Sequence, residues 1–180
     1  MEMIRVAALM ILSAAISSAQ PQGKPGAPIS VCDAIRKRLV LNRRMVAVRG
    51  DLHPGGHGPF LEALSGCDYR LVTRGVDWPK RVFLTFPNNQ SKDETVHVDF
   101  QVDDRVIRRA EDQIQRADPS DTVVATYVGL LVTFPDLDQR VNPGVPTWPR
   151  LGFGPVGLDA PVELVIKTIE DVVVSKHFPC

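Results

Sequence analysis

The thirteen residues from Thr122 to Phe134 are rich in Val, Leu and Thr and carry one glycine, Gly129, near their centre. Side chains of this kind favour a pleated strand over a helix. A run of thirteen is nevertheless long for one flat strand. It has to coil, and Gly129 is where it can bend. A second long run, Val162 to Val174, puts Val162, Leu164 and Ile166 on one face and Glu163 and Lys167 on the other.

Ahead of these runs the chain alternates shorter apolar stretches with turns. Met45 to Leu52 reads as a strand with Val46 and Val48 on one face, and Gly50 inside it marks a bend or bulge. His53-Pro54-Gly55-Gly56-His57-Gly58 is a loop. Phe60 to Leu64 is a second strand, ended by Ser65-Gly66. Tyr69 to Thr73 and Val82 to Phe86 make a third, interrupted at Asp77-Trp78-Pro79, with Val82, Leu84 and Phe86 sharing a face. Val96, Val98 and Phe100 also alternate and predict a short extra strand. From Val102 to Ala117 the apolar residues Val106, Ile107, Ala110, Ile114 and Ala117 recur at helical spacing. Asp103 and Asp104 suit the start of that helix and Pro119 stops it. Ser30 is placed to cap a shorter helix through about Val40, burying Val31, Ile35 and Leu39. With the 69–86 segment counted once, the order is strand, strand, strand, helix, strand, strand. The fold class is therefore an all-β-dominated, OB-like barrel with one long and one short helix, and glycines in its first and fourth strands turn its corners.

The residues that give the chain its individuality are Val31-Cys32, Val46-Ala47-Val48-Arg49-Gly50, Cys67, Trp78-Pro79, Trp148-Pro149-Arg150-Leu151-Gly152-Phe153-Gly154 and Pro161-Val162-Glu163-Leu164-Val165-Ile166. In this order, over most of residues 30–175, they resemble a group of uncharacterised, small, exported bacterial proteins with an OB-like barrel. The resemblance implies a fold and export, and brings no catalytic residues.

The N-terminus reads as an address. Arg5 precedes an apolar run from Val6 to Ile16, interrupted by Ser13, and Ser17-Ser18-Ala19 follows. As a helix the run reaches roughly 16 Å, about half a hydrocarbon core. Residues 1–19 are thus expected to be a cleaved secretory signal, residues 20–29 a flexible leader with three prolines and two glycines, residues 30–176 a single domain, and 177–180 a tail. No other segment is apolar for long enough to span a bilayer. The protein is expected to be secreted or periplasmic, where disulfides persist. Cys32, Cys67 and Cys180 allow three pairings. Cys32–Cys67 is favoured because it ties the front helix to the first hairpin region, leaving Cys180 free or joining two molecules.

Lys plus Arg number 21, as do Asp plus Glu, so the chain is formally neutral, neither a globally basic nucleic-acid binder nor an acidic tail. Aromatic residues are only 6%, which argues against a surface built from stacked rings. Charge is segregated: Arg36, Lys37, Arg38, Arg43, Arg44 and Arg49 face only Asp33 in residues 30–50, whereas residues 91–122 hold nine acids and five bases. The reading is a solvated face whose acids and bases partly meet in the fold, and export disfavours nucleic acid as a partner.

For chemistry, His53 and His57 are the most suggestive pair. With Asp51 and Asp68 near them in sequence they offer nitrogen and oxygen donors to zinc. Pro54-Gly55-Gly56 forbids a helix between them, so the plainer reading is a solvated hairpin loop. His97 with Asp99 reads as a sheet edge. His177 and Cys180 form a His-x-x-Cys pair without a second pair to complete a metal site. No serine sits in a nucleophile elbow, and Gly152 to Gly157 lacks the lysine and helix of a phosphate loop. The expectation is a non-enzymatic protein without a cofactor, binding a small molecule, envelope polymer or protein through the loops at 53–58 and 135–157. The alternatives are a zinc site at His53 and His57 and a mainly structural envelope protein.

Overall fold

A computed structural model describes residues 26–55, 58–73, 76–87, 98, 100–118, 120–134, 152–154 and 160–176. The expected signal, most of the leader, His57, His97, Asp99, His177 and Cys180 lie outside them, as does most of the 135–157 loop. The chain opens with β1 (Ile29–Ser30), α1 (Val31–Arg36) and α2 (Arg38–Leu41). Then come β2 (Arg44–Gly55), β3 (Gly58–Glu62), a small hairpin of β4 (Val72–Thr73) and β5 (Val76–Asp77), and β6 (Arg81–Thr85). The long helix α3 (Asp104–Gln115) leads into β7 (Thr122–Val132) and β8 (Val162–Ser175).

Five strands close into a barrel in the ring order β2-β3-β6-β8-β7, with β7 returning to pair with β2. All neighbours in the ring are antiparallel except β6 and β8, which run parallel. The anticipated order of three strands, a helix and two strands is therefore the order of the barrel. Alternation explains the interior: Val48, Leu61, Val82, Leu84, Leu131, Leu164 and Ile166 all point inward and are buried. β-Branched and leucine side chains fill so narrow a space in favourable rotamers. α3 closes one side, burying Ile107 and Ala110, and is anchored on β8 by the Asp103 N–H donating to the Lys167 carbonyl at 3.2 Å. The Asp103 carboxylate accepts from the Val106 N–H at its first turn, as a cap should.

The bend anticipated at Gly129 is a point of backbone contact. A Cβ there would lie 2.2 Å from the Val165 carbonyl oxygen, and the register of β7 against β8 shifts between Val128 and Gly129. Gly50 has a related role. A Cβ would come within 2.7 Å of both the Glu62 carbonyl and Val31 Cγ2. It sits where β2 exchanges its partner β1 for β3.

Several boundaries differ from the sequence expectation. The front helix breaks at Lys37, whose N–H bonds back to Asp33 O. The break rotates Leu39 out to 53% exposure, and Leu41 packs on the core in its place. Ile29, placed in the leader, pairs with Val48. The segment 69–73 does not enter the barrel: β4 and β5 form their own two-stranded ladder, and Trp78 just after it is buried. Its indole N–H donates to Thr73 Oγ1 at 2.7 Å. A Cβ on Gly152 would meet the Trp78 ring at 2.6 Å, so Trp78 seats the segment around Gly152. Of the extra strand expected at 96–100, Val98 and Phe100 are described and belong to no strand.

Cys32 on α1 is bonded to Cys67, with 5.7 Å between their Cα atoms, as the favoured pairing anticipated. Arg36 reinforces that junction, lying 3.4 Å from Asp68 and over the Tyr69 ring. Replacing Cys32 and Cys67 together by Ser is expected to lower unfolding free energy by about 4 kcal/mol, and Gly129→Ala by about 3 kcal/mol, both read by urea denaturation. Burial in the barrel, with the Glu111 carboxylate nearby, holds the Tyr127 phenol well above its ordinary pKa of 10.0. The folded state therefore keeps a proton that the unfolded chain gives up, so stability is full below pH 10 and falls as pH rises beyond it. Tyr127→Phe should flatten that alkaline slope, measured by urea unfolding at several pH values.

Candidate functional site

The outer face of the barrel, where β2, β3 and β6 lie side by side, carries a two-row array. Register places Asp51 opposite Glu62 and Glu62 opposite Arg81. One residue pair along, His53 stands opposite Phe60 and Phe60 opposite Phe83. The first row is charged and the second is made of rings. Their inward neighbours Leu52, Leu61 and Val82 are buried in the barrel, and the pleat forces the array outward.

Contacts within the array are specific. His53 Nε2 lies 3.3 Å from Asp51 Oδ2 and 3.2 Å from Glu62 Oε2. Arg81 Nε donates to the other Glu62 oxygen, Oε1, at 3.2 Å. The His53 ring stacks on Phe60, with centroids 5.4 Å apart and planes 11° from parallel. The Arg81 guanidinium lies over the Phe60 ring at 4.3 Å from its centroid. All of these side chains are half-exposed, between 26% for Asp51 and 43% for His53 among the ionisable ones on β2. The β2–β3 turn also makes room for the ring row. Gly58 has φ +120, and a Cβ there would lie 2.8 Å from Phe83 Cζ, so only glycine fits.

The ring row continues beyond β6. Phe83 joins an outer apolar cluster with Val132, Val165, Phe153, Phe100 and Phe134. Phe134 and Phe153 stack at 4.5 Å, and Phe153 is fastened to Ala160 by two backbone hydrogen bonds. Of seven phenylalanines, Phe60, Phe83, Phe100, Phe134 and Phe153 thus gather on this outer side, while the buried residues of the main core are aliphatic apart from Tyr127 and Trp78. Low aromatic content suggested no ring-built surface, but the fold concentrates the few rings it has. Glu163, paired across the sheet with Phe83, is buried beside them and accepts a hydrogen bond from Thr85 Oγ1.

The sequence-predicted site residues are distributed as follows. His53 and Asp51 come together on this face, whereas Asp68 is drawn to Arg36 beside the disulfide. His57 lies outside the described residues. Both carboxylates that approach His53 meet the same nitrogen, Nε2, at hydrogen-bond distance. Among the described residues no group of three or more His, Cys, Asp or Glu is arranged to hold a metal ion. In the basic cluster, Arg36 and Lys37 meet Asp33, and Arg49 donates to Thr126 Oγ1. Glu62, Phe60, Arg81 and Phe83 were not singled out from the sequence. Alternation within each strand puts them on a common face, but only the register across strands makes them neighbours.

Comparison with protein-family models, curated proteins and solved structures finds no match. Among the described residues no helix is long and apolar enough to cross a membrane.

A double-mutant cycle of His53→Ala and Phe60→Ala, measured by urea denaturation, is expected to give a coupling of about 0.5–1 kcal/mol. Gly58→Ala should shift the Phe83 ring resonances, because both the backbone and the ring lose their fit.

Proposed function

We propose that this chain is an exported, non-enzymatic binding module on an OB-type barrel, with its ligand seated on the outer face of β2, β3 and β6. The observation that carries this reading is the two-row array of Asp51, Glu62 and Arg81 beside His53, Phe60 and Phe83. It sets half-exposed hydrogen-bonding groups beside half-buried rings, and a half-exposed polar row offers groups that can exchange water for ligand.

The OB-type assignment draws on the ring order, the parallel pairing of the third and fifth barrel strands and the helix between the third and fourth. In that architecture the face of the second and third strands binds ligand, flanked by the loops between the first and second and the fourth and fifth. Here those strands are β3 and β6, and the flanking connections follow Gly55 and Phe134; the sequence expectation of a loop over 53–58 is corrected, because His53 to Gly55 belong to β2 and Gly58 to β3. A fold confers no function by itself, so the weight rests on the side chains. Export draws on the N-terminal apolar run, on the Cys32–Cys67 pair, which suits an oxidising compartment, and on the resemblance to exported bacterial barrels. The non-enzymatic reading draws on the sequence, in which no serine sits in a nucleophile elbow and Gly152 to Gly157 lacks the lysine and helix of a phosphate loop.

The alternative is a zinc ion held by His53 and His57, which draws on the two carboxylates beside His53. Two measurements separate the readings. Adding zinc or a chelator should leave the Tm unchanged; a Tm rise with stoichiometric zinc favours the metal site. Screening sugars, nucleotides and cell-wall fragments by NMR should give shifts on the amides of β3 and β6. Shifts confined to α3 or to the α1–Cys67 junction would overturn the proposed seat.

A further inference from the structure

We infer that the corner of the molecule at α2 docks on the surface of a negatively charged lipid bilayer. The break at Lys37 turns two neighbouring aliphatic side chains outward, Leu39 at 53% and Val40 at 67% exposure. On the same turn Leu41 packs against the core. Continued without a break, the spacing from Val31 and Ile35 buries Leu39. The fold thus presents apolar surface that the periodicity of α1 hides. Cations flank it. Lys37, Arg43 and Arg44 are exposed and Arg38 is half-buried. The one acid between Val31 and Gly50 is Asp33, which meets Arg36 and Lys37, and Asp68 meets Arg36. Of the two strands that α2 touches, β7 carries no charged residue, and β2 brings Arg44 and, further along, Arg49, Asp51 and His53. The segment after Phe134 adds Asp136, Asp138 and Arg140, outside the described residues. With these counted, the corner still holds more cations than acids.

Charge and size decide the occupant. A second copy joined by a two-fold axis sets this patch on itself, cation against cation. A folded protein partner needs about 800 Å² on each side, and two aliphatic side chains on a single helical turn supply a small part of that. A soluble anionic polymer meets the cations but leaves Leu39 and Val40 in water. A bilayer asks for no matched shape. The aliphatic pair enters the boundary between headgroups and acyl chains, and the Lys and Arg stems lie along it with their charged heads at the lipid phosphates. An anionic surface attracts each such cation. Two apolar side chains make this a reversible contact, not an anchor. The His53 and Glu62 array belongs to the other half of β2, so this contact is independent of the binding face proposed above.

The test uses the disulfide-bonded protein recovered after export, with every variant prepared the same way so that any N-terminal apolar run is common to all. Partition is measured by co-sedimentation with vesicles of phosphatidylcholine, with and without phosphatidylglycerol. The expected result is partition onto the phosphatidylglycerol vesicles that fades between roughly 50 and 500 mM salt. The double variant Leu39→Ser/Val40→Ser should weaken it about tenfold, and Arg44→Gln about fivefold. Val72→Ser, at an exposed valine elsewhere, should leave it unchanged. Urea unfolding of each variant checks that the fold persists. Leu39→Trp gives a second readout that keeps the aliphatic pair apolar: brominated acyl chains should quench its added fluorescence. Absence of partition onto phosphatidylglycerol vesicles overturns the proposal. So does partition that neither Leu39→Ser/Val40→Ser nor Arg44→Gln weakens. Binding to soluble polyphosphate as tight as to the vesicles, with Leu39→Trp unquenched, overturns the lipid assignment in favour of a polyanion.

Discussion

The barrel depends on how closely two backbones approach at Gly129. Like every strand of the ring, β7 is bonded along both edges, to β2 on one side and β8 on the other, and its pairing with β2 closes the barrel. Closure asks it to coil sharply, and it does so where a missing Cβ leaves room for the Val165 carbonyl. A register shift at the same point bends the strand and adds to its local twist. The curvature that results is what holds β2, β3 and β6 side by side with one pleat in common. The outward array inherits its spacing from that closure.

A second constraint acts at the front of the domain. α1 is too short to be stable alone, and it is held by three unlike interactions. Val31, Ala34 and Ile35 bury against the core, Cys32 is bonded to Cys67, and Arg36 reaches Asp68 and Tyr69. Gly50 lets this helix press directly on β2. The same junction engages two residues of the basic cluster, Arg36 and Lys37, with Asp33 and Asp68.

The division of apolar side chains between two regions gives the molecule its character. Aliphatic residues fill the barrel, where space is narrow and rotamers must be few. Phenylalanines stand outside it, partly under the segment around Phe153 and partly on the open face beside the His53, Glu62 and Arg81 network. A chain with few rings has placed most of its phenylalanines outside the barrel, where Phe153 is buried and Phe83, Phe100 and Phe134 are partly so.

Periodicity and glycine placement make the barrel legible in the sequence. The alternation of β2, β7 and β8 and the helical spacing of α3 are local properties, set by neighbours two to four residues apart, and so is the coiling demanded at Gly129. Cys32–Cys67 was legible because both cysteines flank elements that the strand order brings together. The break of the front helix at Lys37 was not, since it follows from packing against the barrel, and neither was the exclusion of β4 and β5 from the ring, since Trp78 finds its seat against a residue far along the chain, Gly152. His53 was legible as a candidate, but its partners were not. Local sequence therefore determined the strand order, the coil points and the inward faces. Tertiary structure alone decided that Glu62, Phe60, Arg81 and Phe83 meet His53, because register between strands depends on turns and closure, which no single segment specifies.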